Sequence, residues 1–295
     1  MAGSARFIDG WWQSPDGLRL HYRDYPGDPS LVPLLCLPGL SRNARDFEPV
    51  ACRLSPGRRV IAAELRGRGE SGYAPDPATY ALPHYVVDLE VLLIELALPR
   101  FVIVGTSLGG ILAVLLTSAD PARVAGVVLN DIGPVVEAAG LARIRGYVGK
   151  GASWPTWIHA ARDLADMQRD IHPGYGLEDW LGTAKRLCRL TPTGRIVFDY
   201  DMRIAEPMRA PDIAPPPDLW PVFESLVGRP VLLIRGETSD ILSRRTATTM
   251  AERLRDLDVA TVPATGHAPT LAEPVAAAAI DRLLARADAA AATSG

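Results

Sequence analysis

Gly105-Thr106-Ser107-Leu108-Gly109 sets one serine between two glycines at the junction of two apolar runs. This junction constrains the fold of the chain more than any other stretch. The run before it, Phe101-Val102-Ile103-Val104, is short and largely β-branched, which suits a buried strand; the run after it, Ile111 to Leu116, continues as a buried helix. A strand that turns so abruptly into a helix forces strained dihedrals on the serine, and the neighbouring backbones can approach only where side chains are absent. Gly105 and Gly109 meet that need. Such a turn lifts the Ser107 hydroxyl clear of the sheet at the positive end of a helix dipole, where the N–H of Leu108 faces a developing oxyanion. Taken alone, the same five residues also fit a glycine-rich turn without chemistry.

The rest of the chain supplies a frame for this turn. Leu18 to Tyr25 alternates as a strand after the turn signal Ser14-Pro15-Asp16-Gly17, and Arg6 to Trp12 is its expected hairpin partner, so the sheet begins antiparallel. Continuous apolar runs follow at Leu31 to Leu37, Val60 to Ala63, Phe101 to Val104, Val124 to Leu129, Val231 to Ile234 and Val259 to Val262. These read as parallel strands buried on both faces. Helical patterns separate them at Ala44 to Leu54, His84 to Leu96, Leu108 to Ser118, Arg244 to Leu257 and Pro274 to Arg286. The alternation predicts an α/β fold with a doubly wound, mostly parallel, eight-stranded sheet.

That alternation breaks between Gly133 and Gly228, where tryptophan- and proline-containing amphipathic segments take over. The expected organisation is therefore a core from residues 1–132, an inserted helical lid from 133–228, and a return to the core from 229–295. Helices are expected in the lid at Val135 to Tyr147, Trp154 to Ile171, Leu177 to Leu190 and Leu219 to Val227, with Asp212-Ile213-Ala214-Pro215-Pro216-Pro217 as a stiff connector. Trp154 and Trp157, three residues apart, are candidates to share one helix face over the serine and line a substrate pocket. Arg143 and Arg145 suit a substrate carboxylate but fit a solvated helix face better.

Composition narrows the function. Hydrophobic residues make up 48% of the 295, the formal net charge is −3, and no lysine- or arginine-rich block stands out, which argues against a nucleic-acid partner. Cys36, Cys52 and Cys188 lack C-x-x-C spacing and read as reduced core thiols. The amino terminus lacks the apolar stretch of a signal peptide and no run reaches membrane-spanning length, so a cytoplasmic enzyme without a membrane partner is expected. Gly67-Arg68-Gly69-Glu70-Ser71-Gly72 satisfies G-x-G-x-x-G after a strand, yet Tyr73-Ala74-Pro75-Asp76-Pro77 follows where a dinucleotide fingerprint needs a helix to open. His21, His84, His159 and His172 stand without ligand-spaced partners and read as structural or solvated.

A serine hydroxyl is a weak nucleophile and needs a base oriented by a carboxylate. Asp240, in Arg235-Gly236-Glu237-Thr238-Ser239-Asp240, and His267, in Gly266-His267-Ala268-Pro269, each follow a predicted strand, giving the order Ser, Asp, His. At these residues the chain resembles the α/β-hydrolase fold family, from about Gly17 to about Leu284. Leu35-Cys36-Leu37-Pro38-Gly39-Leu40-Ser41 resembles the family's loop after the third strand, and Glu64 to Gly72 its glycine-rich turn after the next strand. The resemblance implies an oxyanion hole from the N–H groups of Leu40 and Leu108, with a catalytic triad of Ser107, Asp240 and His267. Asp131 also ends a strand, and some members place their acid there; Asp240 is preferred because it sits in the fuller motif. Where many members carry His-Gly the chain has Pro38-Gly39, which removes an imidazole and a backbone N–H from the loop.

The implied activity is hydrolysis of small to medium carboxylic esters through an acyl-enzyme on Ser107, with water as second substrate and no metal or organic cofactor. The lid's apolar and aromatic content favours an acyl or aryl group over a highly charged one. The resemblance equally allows hydrolysis of a carbon–carbon bond in a vinylogous diketone, or of an enol-lactone, and a ligand receptor on the same fold is the rival from another class.

Overall fold

The computed structural model describes residues 7–209 and 218–292. Six strands come first: β1 (Ile8–Gln13), β2 (Arg19–Tyr25), β3 (Leu34–Leu37), β4 (Val60–Glu64), β5 (Phe101–Thr106) and β6 (Val124–Asn130). Three short ones, β7 (Ser153–Trp154), β8 (Cys188–Leu190) and β9 (Ile196–Phe198), precede β10 (Val231–Gly236) and β11 (Leu257–Val262). The main sheet has eight strands in the order β1-β2-β4-β3-β5-β6-β10-β11. Strands β1, β2 and β4 pair antiparallel, and every other pairing in this sheet is parallel. The expected α/β sheet with an antiparallel start is what forms.

Helices α1 (Glu48–Leu54), α2 (Leu82–Glu95) and α3 (Leu108–Ala119) lie among the first strands. Then come α4 (Ala138–Tyr147), α5 (Trp157–Gln168), α6 (Leu177–Leu187), the short α7 (Glu206–Arg209) and α8 (Trp220–Phe223), and finally α9 (Arg244–Arg253) and α10 (Pro274–Ala292). Alternate residues of each central strand serve opposite faces of the sheet. Leu35, Ile61, Ile103 and Val127 face α2, α3 and α9. Leu34, Val60, Val102 and Val128 face α1 and α10. Both faces are covered, which is why these strands read as unbroken apolar runs.

Between β6 and β10 the chain leaves the sheet and builds α4 to α8 with a small sheet in the order β7-β9-β8. Among the helix boundaries that differ from the sequence expectation, three are set by strands. Ser153–Trp154 pairs with β9, so the helix opens at Trp157 behind the capping side chain of Thr156. The next helix stops at Leu187 because Cys188–Leu190 pairs with β9. After β10, α9 ends at Arg253, and Leu257 already belongs to β11. Strands of two or three residues are too short to impose a period of two, so pairing partners far along the chain decide them. The connector Asp212 to Pro217 lies outside the described residues.

Trp154 and Trp157 do not line the cavity beside Ser107. Trp154 is buried with Leu164, Trp180, Leu187 and Ile196, Trp157 packs against that cluster, and the Trp154 indole donates to Asp163. The inserted segment has a core of its own, and the tryptophans supply it because large apolar rings bury best where helix and sheet meet.

Candidate active site

Gly105 and Gly109 close the turn between β5 and α3. A Cβ on Gly105 would stand 2.3 Å from the Gly109 carbonyl oxygen, and one on Gly109 only 2.0 Å from that of Leu37. Between them Ser107 has φ 52° and ψ −115°, a strained conformation for a residue with a side chain. Strands β5 and β6 pair in parallel with Thr106 opposite Asn130, and the Ser107 N–H donates to the Asn130 carbonyl at 3.0 Å. Serine at one strand end and Asp131 at the next are therefore neighbours.

His267, in the loop after β11, bridges the two. Its Nε2 is 3.0 Å from Ser107 Oγ and its Nδ1 is 2.8 Å from Asp131 Oδ2. A carboxylate oxygen accepts, so Nδ1 carries the proton and Nε2 offers a lone pair to the serine hydroxyl. Asp131 is fully buried, with φ 56°, and is fixed from the β10 side: Oδ1 accepts the Gly236 N–H at 2.8 Å and Oδ2 accepts the Ser239 hydroxyl at 2.6 Å. The amide of Asn130 adds a bond to the Pro269 carbonyl at 2.8 Å, tying the histidine loop to β6.

Asp240 is corrected as the partner of His267. Its carboxylate takes a two-pronged bond from Arg143 on α4, Nε to Oδ2 at 2.6 Å and Nη2 to Oδ1 at 2.8 Å. The Arg143 guanidinium holds the Asp240 carboxyl below its usual range. Within the Gly-x-x-Ser-Asp motif it is Ser239, not Asp240, that reaches the His267 partner. Asp131 was legible as an aspartate directly beyond an apolar strand; the register that favours it was not. Arg143, expected on a solvated face, is also corrected, since it lines the cavity.

Leu40 and Leu108 both lie beside the serine. Gly39 abuts the serine, where an added Cβ would sit 3.8 Å from Ser107 Cβ, and Leu108 is the first residue of α3, ahead of its hydrogen-bonded ladder. Arg68 was missed by sequence reasoning. This buried side chain donates from Nε to the Leu40 carbonyl at 2.8 Å and from Nη1 to the Arg66 carbonyl and the Tyr85 hydroxyl. It anchors the loop in which Pro38 has no N–H to give. The turn that mimics a dinucleotide fingerprint wraps an internal anion instead: Glu64 Oε2 accepts the Glu70 N–H at 2.7 Å and contacts His21 Nδ1 at 2.9 Å.

A cavity of about 490 Å³ opens on Ser107 and His267. Its floor is Gly39 to Arg42 and Pro269 to Leu271; its roof comes from the inserted segment, including Ile144, Tyr147, Ile171, Phe198 and Tyr200. His172 also lines it, stacked on Tyr175 with ring centroids 4.4 Å apart, and burial pushes its pKa down to about 4, which keeps it neutral. Among the described residues no cluster of three or more His, Cys, Asp or Glu is arranged to hold a metal, and no helix is long and apolar enough to cross a membrane. The assembled groups can draw a proton from Ser107 through His267.

Sheet order, strained serine turn and the Ser-His-Asp contacts together define a class, and sequence comparison agrees. A family model described as "Alpha/beta hydrolase family" matches residues 34–280, and the chain belongs to that family. A solved structure of an alpha/beta hydrolase from Novosphingobium aromaticivorans is 55% identical, with a TM-score of 0.92, over 96% of this chain and 100% of that one. A 3-hydroxybutyrate-oligomer hydrolase of Cupriavidus necator is 34% identical over 88% of this chain and 91% of its own length. A 2-(acetamidomethylene)succinate hydrolase of Mesorhizobium japonicum is 29% identical over 79% and 81% respectively.

Proposed function

We propose that this hydrolase cleaves small to medium carboxylic esters through an acyl-enzyme on Ser107. The observation that carries the reading is His267 set between Ser107 Oγ and Asp131 Oδ2 at bonding distance from both. Ser107 Oγ adds to the ester carbonyl carbon as His267 Nε2 takes its proton, and the tetrahedral oxyanion is bound by the N–H groups of Leu40 and Leu108. Collapse expels the alkoxide, which takes the proton from His267 and leaves as the alcohol. Water then attacks the acyl-enzyme with His267 again as base, releasing the acid and regenerating the serine. Asp131 holds the imidazole tautomer throughout. The insert serves as a lid, its residues Ile144, Tyr147, Ile171, Phe198 and Tyr200 roofing the cavity and limiting water.

The Cupriavidus relative supports an ester, since an oligomer of a hydroxy acid is joined by ester bonds. The test is mass spectrometry of the intact protein after a fluorophosphonate, alongside p-nitrophenyl ester turnover across acyl lengths. One adduct on Ser107, absent in Ser107→Ala, with turnover greatest for short or medium acyl chains, is expected. Ester turnover that survives Ser107→Ala overturns the assignment.

A further inference from the structure

The cavity's charges do not cancel. Four cationic side chains line it: Arg42, Arg143, Lys150 and Arg186. Asp46 accepts a two-pronged bond from Arg42, and Asp240 does the same for Arg143. Arg186, half buried on α6, donates only to the Thr183 hydroxyl at 3.2 Å and faces no carboxylate among the described residues. Lys150 stands exposed in the loop after α4, and no carboxylate pairs with it among the described residues. Glu273, the remaining acid near His172, turns Oε1 onto the N–H and hydroxyl of Thr270, leaves Oε2 buried without a hydrogen bond, and offsets one of the two cations at most. His172 adds polarity to this wall without charge: burial holds it neutral against the opposing pull of Glu273, with Arg42 and Arg186 acting in the same direction as burial.

A guanidinium left with one neutral partner in a confined cavity is a binding group for an anion, and its planar donors match a carboxylate. We propose that the cavity takes an ester that also carries a carboxylate, held by Arg186 with Lys150 completing the charge at the entrance, while the scissile carbonyl lies at Ser107. This rests on the ester-hydrolase reading above and names its substrate class. It also refines the sequence expectation, since the apolar lining suits the body of the substrate and the cations its end.

Two matched pairs test it: monoethyl adipate against ethyl hexanoate for a carboxylate on the acyl side, and 3-butyryloxybutanoate against sec-butyl butyrate for one on the alcohol side. In a pH-stat assay the anionic member of at least one pair should be favoured about 10-fold or more in kcat/KM, as charge-assisted bonds allow. Arg186→Gln should erase that preference and leave the neutral member within about threefold. Lys150→Gln should weaken the preference less and flatten its salt dependence. Preference for the neutral member in both pairs, or equal loss for both members in Arg186→Gln, overturns the proposal. A binding arm separates this from failure of the hydrolase reading. By calorimetry, Ser107→Ala should bind the favoured anionic ester about 10-fold more tightly than Ser107→Ala/Arg186→Gln, whatever is turned over. Equal affinities sink the subsite alone.

Discussion

Replacing Asp131 by asparagine changes one oxygen for an NH₂ group, and the surroundings dictate which. Oδ1 faces the Gly236 N–H, a donor that cannot turn away, so the amide oxygen stays there and the NH₂ group points toward Ser239 and His267. An N–H opposite Nδ1 requires Nδ1 to accept, which moves the imidazole proton to Nε2 and presents Ser107 with a donor in place of a lone pair. In another Ser-His-Asp site the same tautomer error costs about 10⁴ in kcat, which corresponds to about 5.4 kcal/mol of transition-state stabilisation. The assay is p-nitrophenyl butyrate hydrolysis, with thermal unfolding to confirm that the variant is folded. Asp240→Asn is the comparison. It loosens a partly exposed pair with Arg143, for which about 1 kcal/mol is the expected ceiling, so kcat should stay within about tenfold. The reasoning is refuted if Asp240→Asn loses as much as Asp131→Asn, or if Asp131→Asn stays within tenfold of wild type.

Gly109→Ala drives a Cβ to 2.0 Å from a backbone oxygen of β3 that cannot move aside, and unfolding should cost at least about 3 kcal/mol less than in wild type. Denaturant midpoints at unchanged slope check this, and an unaltered midpoint contradicts it. His21 gives a pH signature. Burial alone lowers its pKa, but the carboxylates of Glu64 and Asp9 outweigh burial and raise it above 6.5. A raised folded pKa means stability fully present below about pH 6.5 and lost as pH climbs through the folded value. The melting-temperature advantage of wild type over His21→Gln should therefore shrink from pH 6 to pH 9; a constant difference counts against the ion cluster.

The serine turn and the sheet were legible because their causes are local. A strand buried on both faces must be apolar along its length, and two backbones that nearly touch must carry glycines between them. Both aspartates were legible as candidates but the choice between them was not, because it depends on β6 lying beside β10: that pairing brings the Asp131 carboxylate under the Gly236 N–H and sends Asp240 outward to α4. The tryptophans misled for a related reason. Spacing gave them a common helix face, while the pairing of β7 with β9 put Trp154 on a strand and turned it into the insert's own core.

Arg68 has a consequence for how the cavity is opened. Its side chain grips the Leu40 carbonyl, and its own turn is fastened to the insert: the Gly69 N–H donates to the Asp199 carbonyl at 3.1 Å and the Asp201 N–H to the Gly67 carbonyl at 2.8 Å. The roof and the loop that carries Leu40 are thus pinned to one rivet. Tearing that corner loose would also shift Leu40, the residue to which the proposed mechanism assigns an oxyanion donor. Substitutions around Asp199 to Asp201 should accordingly alter the rate at Ser107 from outside the cavity floor, through the frame rather than the contacts.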